Sequence, residues 1–239
     1  MGDANVHLPA FLPKTIEFAP GVSYELLQPI TTFRHCHDGS PAEGRIVLTC
    51  KRVQDDEVNS LEYIIKIKAR VPERNSNPEA TTEATSSNTT RAELKALSVF
   101  RNINNPYAPH LVDYKEAVQG PHGPLPGGYL TFTVMTKMPG DSLHNLYFWG
   151  MPDDERKDIT GKFLIALRSI YSLGIEPVDC ALRNVLWERE TKTCTVIDFE
   201  LWRPIEGPIQ DEIKEVQRWG LARTPAHKNH WEAWNAQWR

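Results

Sequence analysis

The chain has little that would tie it to a membrane, to nucleic acid or to an oxidising compartment. None of its apolar runs approaches the ~18 residues that a membrane span requires. The opening residues, MGDANVHLPAF, lack a charged-then-apolar signal pattern, and Val6 stands where a myristoylation signal behind Met1-Gly2 wants Ser or Thr. With 27 basic and 31 acidic side chains the formal net charge is −4 and the signs are interspersed, so no basic face is expected for nucleic acid or anionic lipid. The four cysteines, Cys36, Cys50, Cys180 and Cys194, form no C-x-x-C pair and read as reduced thiols. A cytosolic or nuclear location is expected, with neither membrane nor nucleic acid as a partner.

What is present suffices for a substantial core. At 239 residues and 40% hydrophobic content the chain can fold as one domain or two small lobes. Residues 1–20 are Pro-rich and read as an arm. Residues 22–27, 45–51, 61–69, 110–118 and 129–135 carry strand patterns, the last two joined by the turn-forming QGPHGPLPGG. In LEYIIKIKA, residues 61–69, period-two alternation puts Lys66 and Lys68 on one face, opposite Ile65 and Ile67. Residues 72–90 are polar and poor in apolar side chains, the composition of a mobile loop. Thr90-Arg91-Ala92-Glu93 then reads as a capping box that opens a helix through Leu94, Ala96, Leu97 and Phe100. A second helix is expected over 152–173, with Ile159, Phe163, Ala166, Leu167 and Ile170 on one face and Gly174 closing it; a third over 211–219. Trp231, Trp234 and Trp238 follow at helix-like spacing, a pattern of core packing before one of cation binding.

Residues 178–200, VDCALRNVLWERETKTCTVIDFE, carry the chemistry. Asp179 and Asn184 stand five residues apart, and a strand ends shortly afterwards on Asp198-Phe199. Phosphoryl transfer needs a carboxylate to orient the attacking hydroxyl, and oxygen ligands for the Mg²⁺ that neutralises phosphate charge. Asp179 suits the first task, Asn184 and Asp198 the second. The segment resembles the core of the protein-kinase-like superfamily, in which H-R-D-x-x-x-x-N is followed by D-F-G. Asp179 falls on the catalytic Asp, Asn184 and Asp198 on the metal ligands, and Phe199 on the Phe. Pro177 and Val178 replace the His and Arg, and Glu200 replaces the Gly.

The resemblance implies an α+β, two-lobed kinase-like fold: an arm (1–20), a five-stranded antiparallel small lobe with one helix (21–138), and a reduced, mainly helical large lobe (139–239). It implies ATP and Mg²⁺ as cofactors. Lys66 would grip the phosphates, with Lys68 left open as the alternative, and Glu93 would hold that lysine unless it merely completes the helix cap. Met135 and Lys137 would lie at the hinge that meets adenine. No G-x-G-x-x-G is present; Gly39 and Gly44 are the nearest glycines to a phosphate loop. No A-P-E follows Asp198, which inclines the likeness to the choline- and aminoglycoside-kinase-like branch and to short fungal kinase-like proteins. Arg183 would either neutralise charge beside Asp179 or form a surface ion pair. Glu200 would point to the metal or to solvent, with Arg203 as a candidate counter-charge. Val178 removes the Arg that answers an activation-loop phosphate. The expected function is ATP-dependent transfer of a phosphoryl group to a hydroxyl of a small molecule or protein. The alternative is a pseudokinase or scaffold that binds a partner, with or without nucleotide, and does not turn over.

Overall fold

The structure is a computed structural model that describes residues 8–36, 41–53, 61–73 and 86–223. The chain is mixed α and β and divides into two compact units: Met1–Arg91 with Leu111–Lys137, and Ala92–His110 with Met138–Arg239.

The first unit is an antiparallel sheet of β1 (Thr15–Ala19), β2 (Val22–Pro29), β3 (Arg34–Cys36), β4 (Glu43–Arg52), β5 (Glu62–Arg70), β6 (Leu111–Val118) and β7 (Tyr129–Thr136). The order is β1-β2-β4-β5-β7-β6, with β3 paired to β4. All five expected strands form, yet among the described residues the sheet has seven. Residues 15–19, read as part of an arm, form β1, because Ile16 alternates into the core and Gly21, at φ 78°, turns the chain back onto β2. Alternation sends Ile46, Leu48, Cys50, Ile65, Ile67, Phe132 and Val134 to one face, where Leu12, Tyr24 and Leu26 join them in a dry core. Gly44 lies within β4 rather than in a phosphate loop, and Phe33 fills the space a Cβ would need. Gly39, most of loop 72–90 and the three tail tryptophans lie outside the described residues.

Helix α1 (Asn88–Asn102) begins before the expected cap. Ser87 caps it instead, its Oγ accepting the Thr90 N–H at 3.3 Å. Glu93 therefore sits in the second turn, 2% exposed, and is no part of a capping box.

The second unit packs α1 from Ala92 onward, α2 (Asp153–Tyr171) and α3 (Glu212–Arg218) with two small antiparallel sheets. One is β11 (Thr193–Val196), β10 (Val185–Glu188) and β8 (Asp141–Ser142); the other pairs β9 (Ile175–Pro177) with β12 (Trp202–Pro204). Helix α2 follows its apolar stripe: Ile159, Phe163, Ala166, Leu167 and Ile170 are buried against Ala96, Phe100, Val185, Val196, Phe199 and Trp219. Gly174, at φ 74°, ends it in the left-handed conformation that suits glycine. Asp211 caps α3 by accepting the Lys214 N–H at 3.1 Å. All four cysteines are free thiols. Among the described residues, no helix is long and apolar enough to cross a membrane.

Gly140 shows how tightly β8 is seated. Its φ is 92°, and a Cβ there would lie 2.5 Å from the Trp187 carbonyl oxygen. Gly140→Ala is expected to cost about 1–3 kcal/mol in urea denaturation. A loss under about 0.5 kcal/mol, the size of an ordinary surface change, would show that the turn yields.

Candidate active site

The segment bearing Asp179 is built from the backbone outward. β9 delivers the chain to Val178, whose N–H donates to the Leu201 carbonyl at 2.9 Å; both side chains are about half exposed. A single 3-10 turn, Leu182–Asn184, reverses the chain into β10. The β10–β11 hairpin then returns it in register, Val185 opposite Val196 and Trp187 opposite Cys194. Beyond β11 the Ile197 N–H donates to the Asn184 carbonyl at 2.9 Å, so the residue preceding Asp198 is bonded to Asn184 itself. Spacing in sequence thus becomes proximity in space.

Asn184 is 4% exposed, and its Nδ2 donates to the Asp179 carbonyl at 2.9 Å and to Asp179 Oδ2 at 3.3 Å. Only the amide nitrogen can donate to a carbonyl, so Oδ1 is the atom left to coordinate. Arg183 Nη2 reaches the same Oδ2 at 2.5 Å. Both partners are about one-third exposed, so solvent screening limits the energetic worth of the pair.

Asp198 adopts φ 67°, in the left-handed region that non-glycine residues seldom occupy. Its carboxylate gathers with those of Glu93 and Glu200, one oxygen from each lying within 4.8 Å of the others. Glu200 therefore turns toward Asp198, not out to solvent. The carboxylate of Glu93, the residue expected from sequence to hold the strand lysine, is part of this group. The set offers the hard oxygen donors that Mg²⁺ prefers, near enough to one another to share one ion. Donor chemistry therefore fits a divalent cation at Asp198, with Glu93, Glu200 and Asn184 as further candidate ligands.

The lysines of β5 are not on an exposed face: Lys66 is 8% exposed and Lys68 2%. Lys68 Nζ donates to Thr89 Oγ1 at 3.0 Å and lies 3.9 Å from Glu43, whose carboxylate also accepts Tyr129 Oη at 2.7 Å and Arg45 Nε at 3.2 Å. Lys68 is thus part of a buried polar network. Met135 sits inside the sheet, between Ile64 and Leu111, and exposed Lys137 pairs with Glu62.

Arg203 does not answer Glu200. It makes two bonds to Glu176, Nε at 2.7 Å and Nη2 at 2.6 Å, while Arg218 Nη1 donates to the same carboxylate at 2.7 Å and its Nη2 to the Pro177 carbonyl. Sequence reasoning missed this node; the acid at Glu176 and bases at 203 and 218 had no local spacing to reveal them. Burial pushes the Cys180 and Cys194 thiols up to about 12, so neither is a nucleophile at neutral pH.

No family model matches the chain, and no curated protein matches it. Among solved structures, the kinase PK-1 of Cydia pomonella granulovirus is similar, at 18% identity and a TM-score of 0.47, over 79% of this chain and 55% of that one. The chain therefore spans about half the length of that kinase.

The hydrogen bond from Arg203 holds the Glu176 carboxyl below the usual carboxylate range, against the opposing effect of burial. A depressed folded value means stability that is present above the unfolded value of ~4.3 and is lost as pH falls through the folded one. Glu176→Gln should lower stability at pH 7 and flatten the acid limb below about pH 4.3, read by urea titration across pH. An unchanged acid limb would remove Glu176 from the account.

Proposed function

We propose that the chain is a Mg²⁺- and ATP-dependent phosphotransferase acting on a hydroxyl acceptor. The observation that carries this reading is the bonded set in the second unit. Asn184 and Arg183 fix the Asp179 carboxylate, and the Ile197–Asn184 backbone bond brings the Asp198 strand to the same loop. Asp179 orients the acceptor hydroxyl and accepts its proton. Where the transition state is loose, positioning of the hydroxyl dominates over proton removal. Bound at Asp198, with Asn184 and the flanking glutamates as candidate ligands, Mg²⁺ would neutralise charge on the phosphates. Lys66 is assigned to those phosphates on the sequence resemblance, as is the small-molecule-kinase branch.

A second reading, binding without turnover, draws support from Pro177 and Val178, which stand where the resembled family has His and Arg.

Thermal shift with ATP, with and without Mg²⁺, and a γ-phosphate release assay separate these readings. The wild-type chain should be stabilised by Mg²⁺–ATP more than by ATP alone. Asp198→Asn should abolish the Mg²⁺-dependent part, whereas Asp179→Asn should keep it and lose transfer or hydrolysis by at least about a hundredfold. Stabilisation without γ-phosphate release in the wild type would favour the binding protein. An intact Mg²⁺ effect in Asp198→Asn would sink the metal assignment.

The two lysines separate by what each variant loses. Lys68→Met leaves the Glu43 carboxylate buried beside one partner fewer and should cost about 3 kcal/mol in urea denaturation. Lys66→Met should instead raise the ATP concentration needed for half-maximal stabilisation. Exchange of the two outcomes would shift the phosphate-binding register by two residues.

A further inference from the structure

We propose that Trp202 is a positioning residue that tethers helix α1 and thereby keeps Glu93 among the carboxylates of Asp198 and Glu200. Its catalytic consequence rests on the phosphotransferase reading; the tether itself does not. Trp202 stands on β12, four residues after Asp198, and its Nε1–H donates to the Ala92 carbonyl at 2.9 Å. Ala92 is interior to α1, where the i→i+4 ladder already supplies its carbonyl with a donor. The indole bond is therefore a second, lateral one, which the helix does not need for its own integrity. Its effect is to fix where the helix lies.

Three further contacts run along the same line. Lys95 Nζ, one turn beyond Ala92, lies 5.4 Å from the centre of the Trp202 ring, within cation–π range. Phe100 meets Phe199 edge to face at 4.6 Å between ring centres. Glu93 itself follows Ala92 directly, next to the tethered carbonyl, and is grouped with Asp198 and Glu200. At its other end β12 is anchored, Trp202 opposite Pro177 and Arg203 bonded to Glu176. Residues 198–203 thus bridge a fixed node and α1, with Trp202 as the link. The link consists of an indole N–H bond, a cation–π contact and a ring pair, all supplied by the chain's own side chains.

The test uses the full chain. Trp202→Phe keeps an aromatic ring and removes the N–H. It should speed hydrogen exchange of the α1 amides after Ala92, and raise the Mg²⁺ concentration for half-maximal stabilisation by ATP about three- to tenfold, the worth of one hydrogen bond. Lys95→Met keeps the N–H bond and should change the Mg²⁺ midpoint less than twofold. A residue with a merely structural role would lower the melting temperature and leave the Mg²⁺ midpoint and α1 exchange alone; that result overturns the proposal. Should the wild-type chain show no Mg²⁺-dependent stabilisation, the phosphotransferase reading fails by itself. The exchange of α1 then decides the tether, and exchange unchanged in Trp202→Phe refutes it.

Discussion

The second unit depends on one buried carboxylate. Glu176 is 4% exposed and accepts from Arg203 on β12 and Arg218 on α3, while Arg218 also bonds the Pro177 carbonyl. The arginines keep part of their surface in water, so the desolvation cost falls mainly on the carboxylate, and it is met by three charge-assisted bonds. The node joins α3 to β9 and β12, two short strands that also pair with each other. β9 leads into Asp179, and β12 leads back from Asp198. Holding these two short strands together fixes the roots of both chemical segments at once, which their few backbone bonds could not do alone.

The sheet of the first unit uses its two faces differently. One is dry, filled by Ile65, Ile67, Leu48 and Phe132; the other buries Lys66, Lys68, Thr131 and Thr133. A buried charge is tolerated only with partners, and Lys68 has Glu43 and Thr89, while Glu43 in turn takes Tyr129 and Arg45. Period-two alternation predicts which residues share a face. It is blind to whether the polar face meets water, and here that face is buried.

Legibility followed the range of the interactions. The five long strands, α2 and its Gly174 stop were written in local periodicity and turn chemistry, and the structure has them. β1 was hidden because the prolines of residues 1–20 outweighed a five-residue alternation whose partner lies immediately after it. The start of α1 was misplaced because two hydroxyl residues, Ser87 and Thr90, compete for the cap, and only geometry shows which oxygen meets the helix N–H groups. Asp179, Asn184 and Asp198 were legible as a pattern, since the hairpin between them has a fixed length. The Glu176 node, the Trp202 bond and the grouping of Glu93 with Glu200 were not, because each joins residues far apart in sequence whose types carry no mark of their partners.

These interactions divide the candidate site into two parts of different kinds. Asp179 is held by Arg183 and Asn184, neighbours on its own loop, so its orientation is settled locally and survives changes elsewhere. The carboxylate group has a member from a distant element: Glu93 belongs to α1, and its position relative to Asp198 depends on how that helix is seated. A small displacement of α1 would therefore open the carboxylate group while leaving the Asp179 loop intact. Asp198 adds to this sensitivity, since its left-handed backbone is a conformation that surrounding contacts must sustain. Phe199, fully buried against Phe100, supplies one such contact, and the Trp202 bond supplies another. On the phosphotransferase reading proposed above, metal binding, rather than orientation of the acceptor, would be the property most exposed to changes in α1.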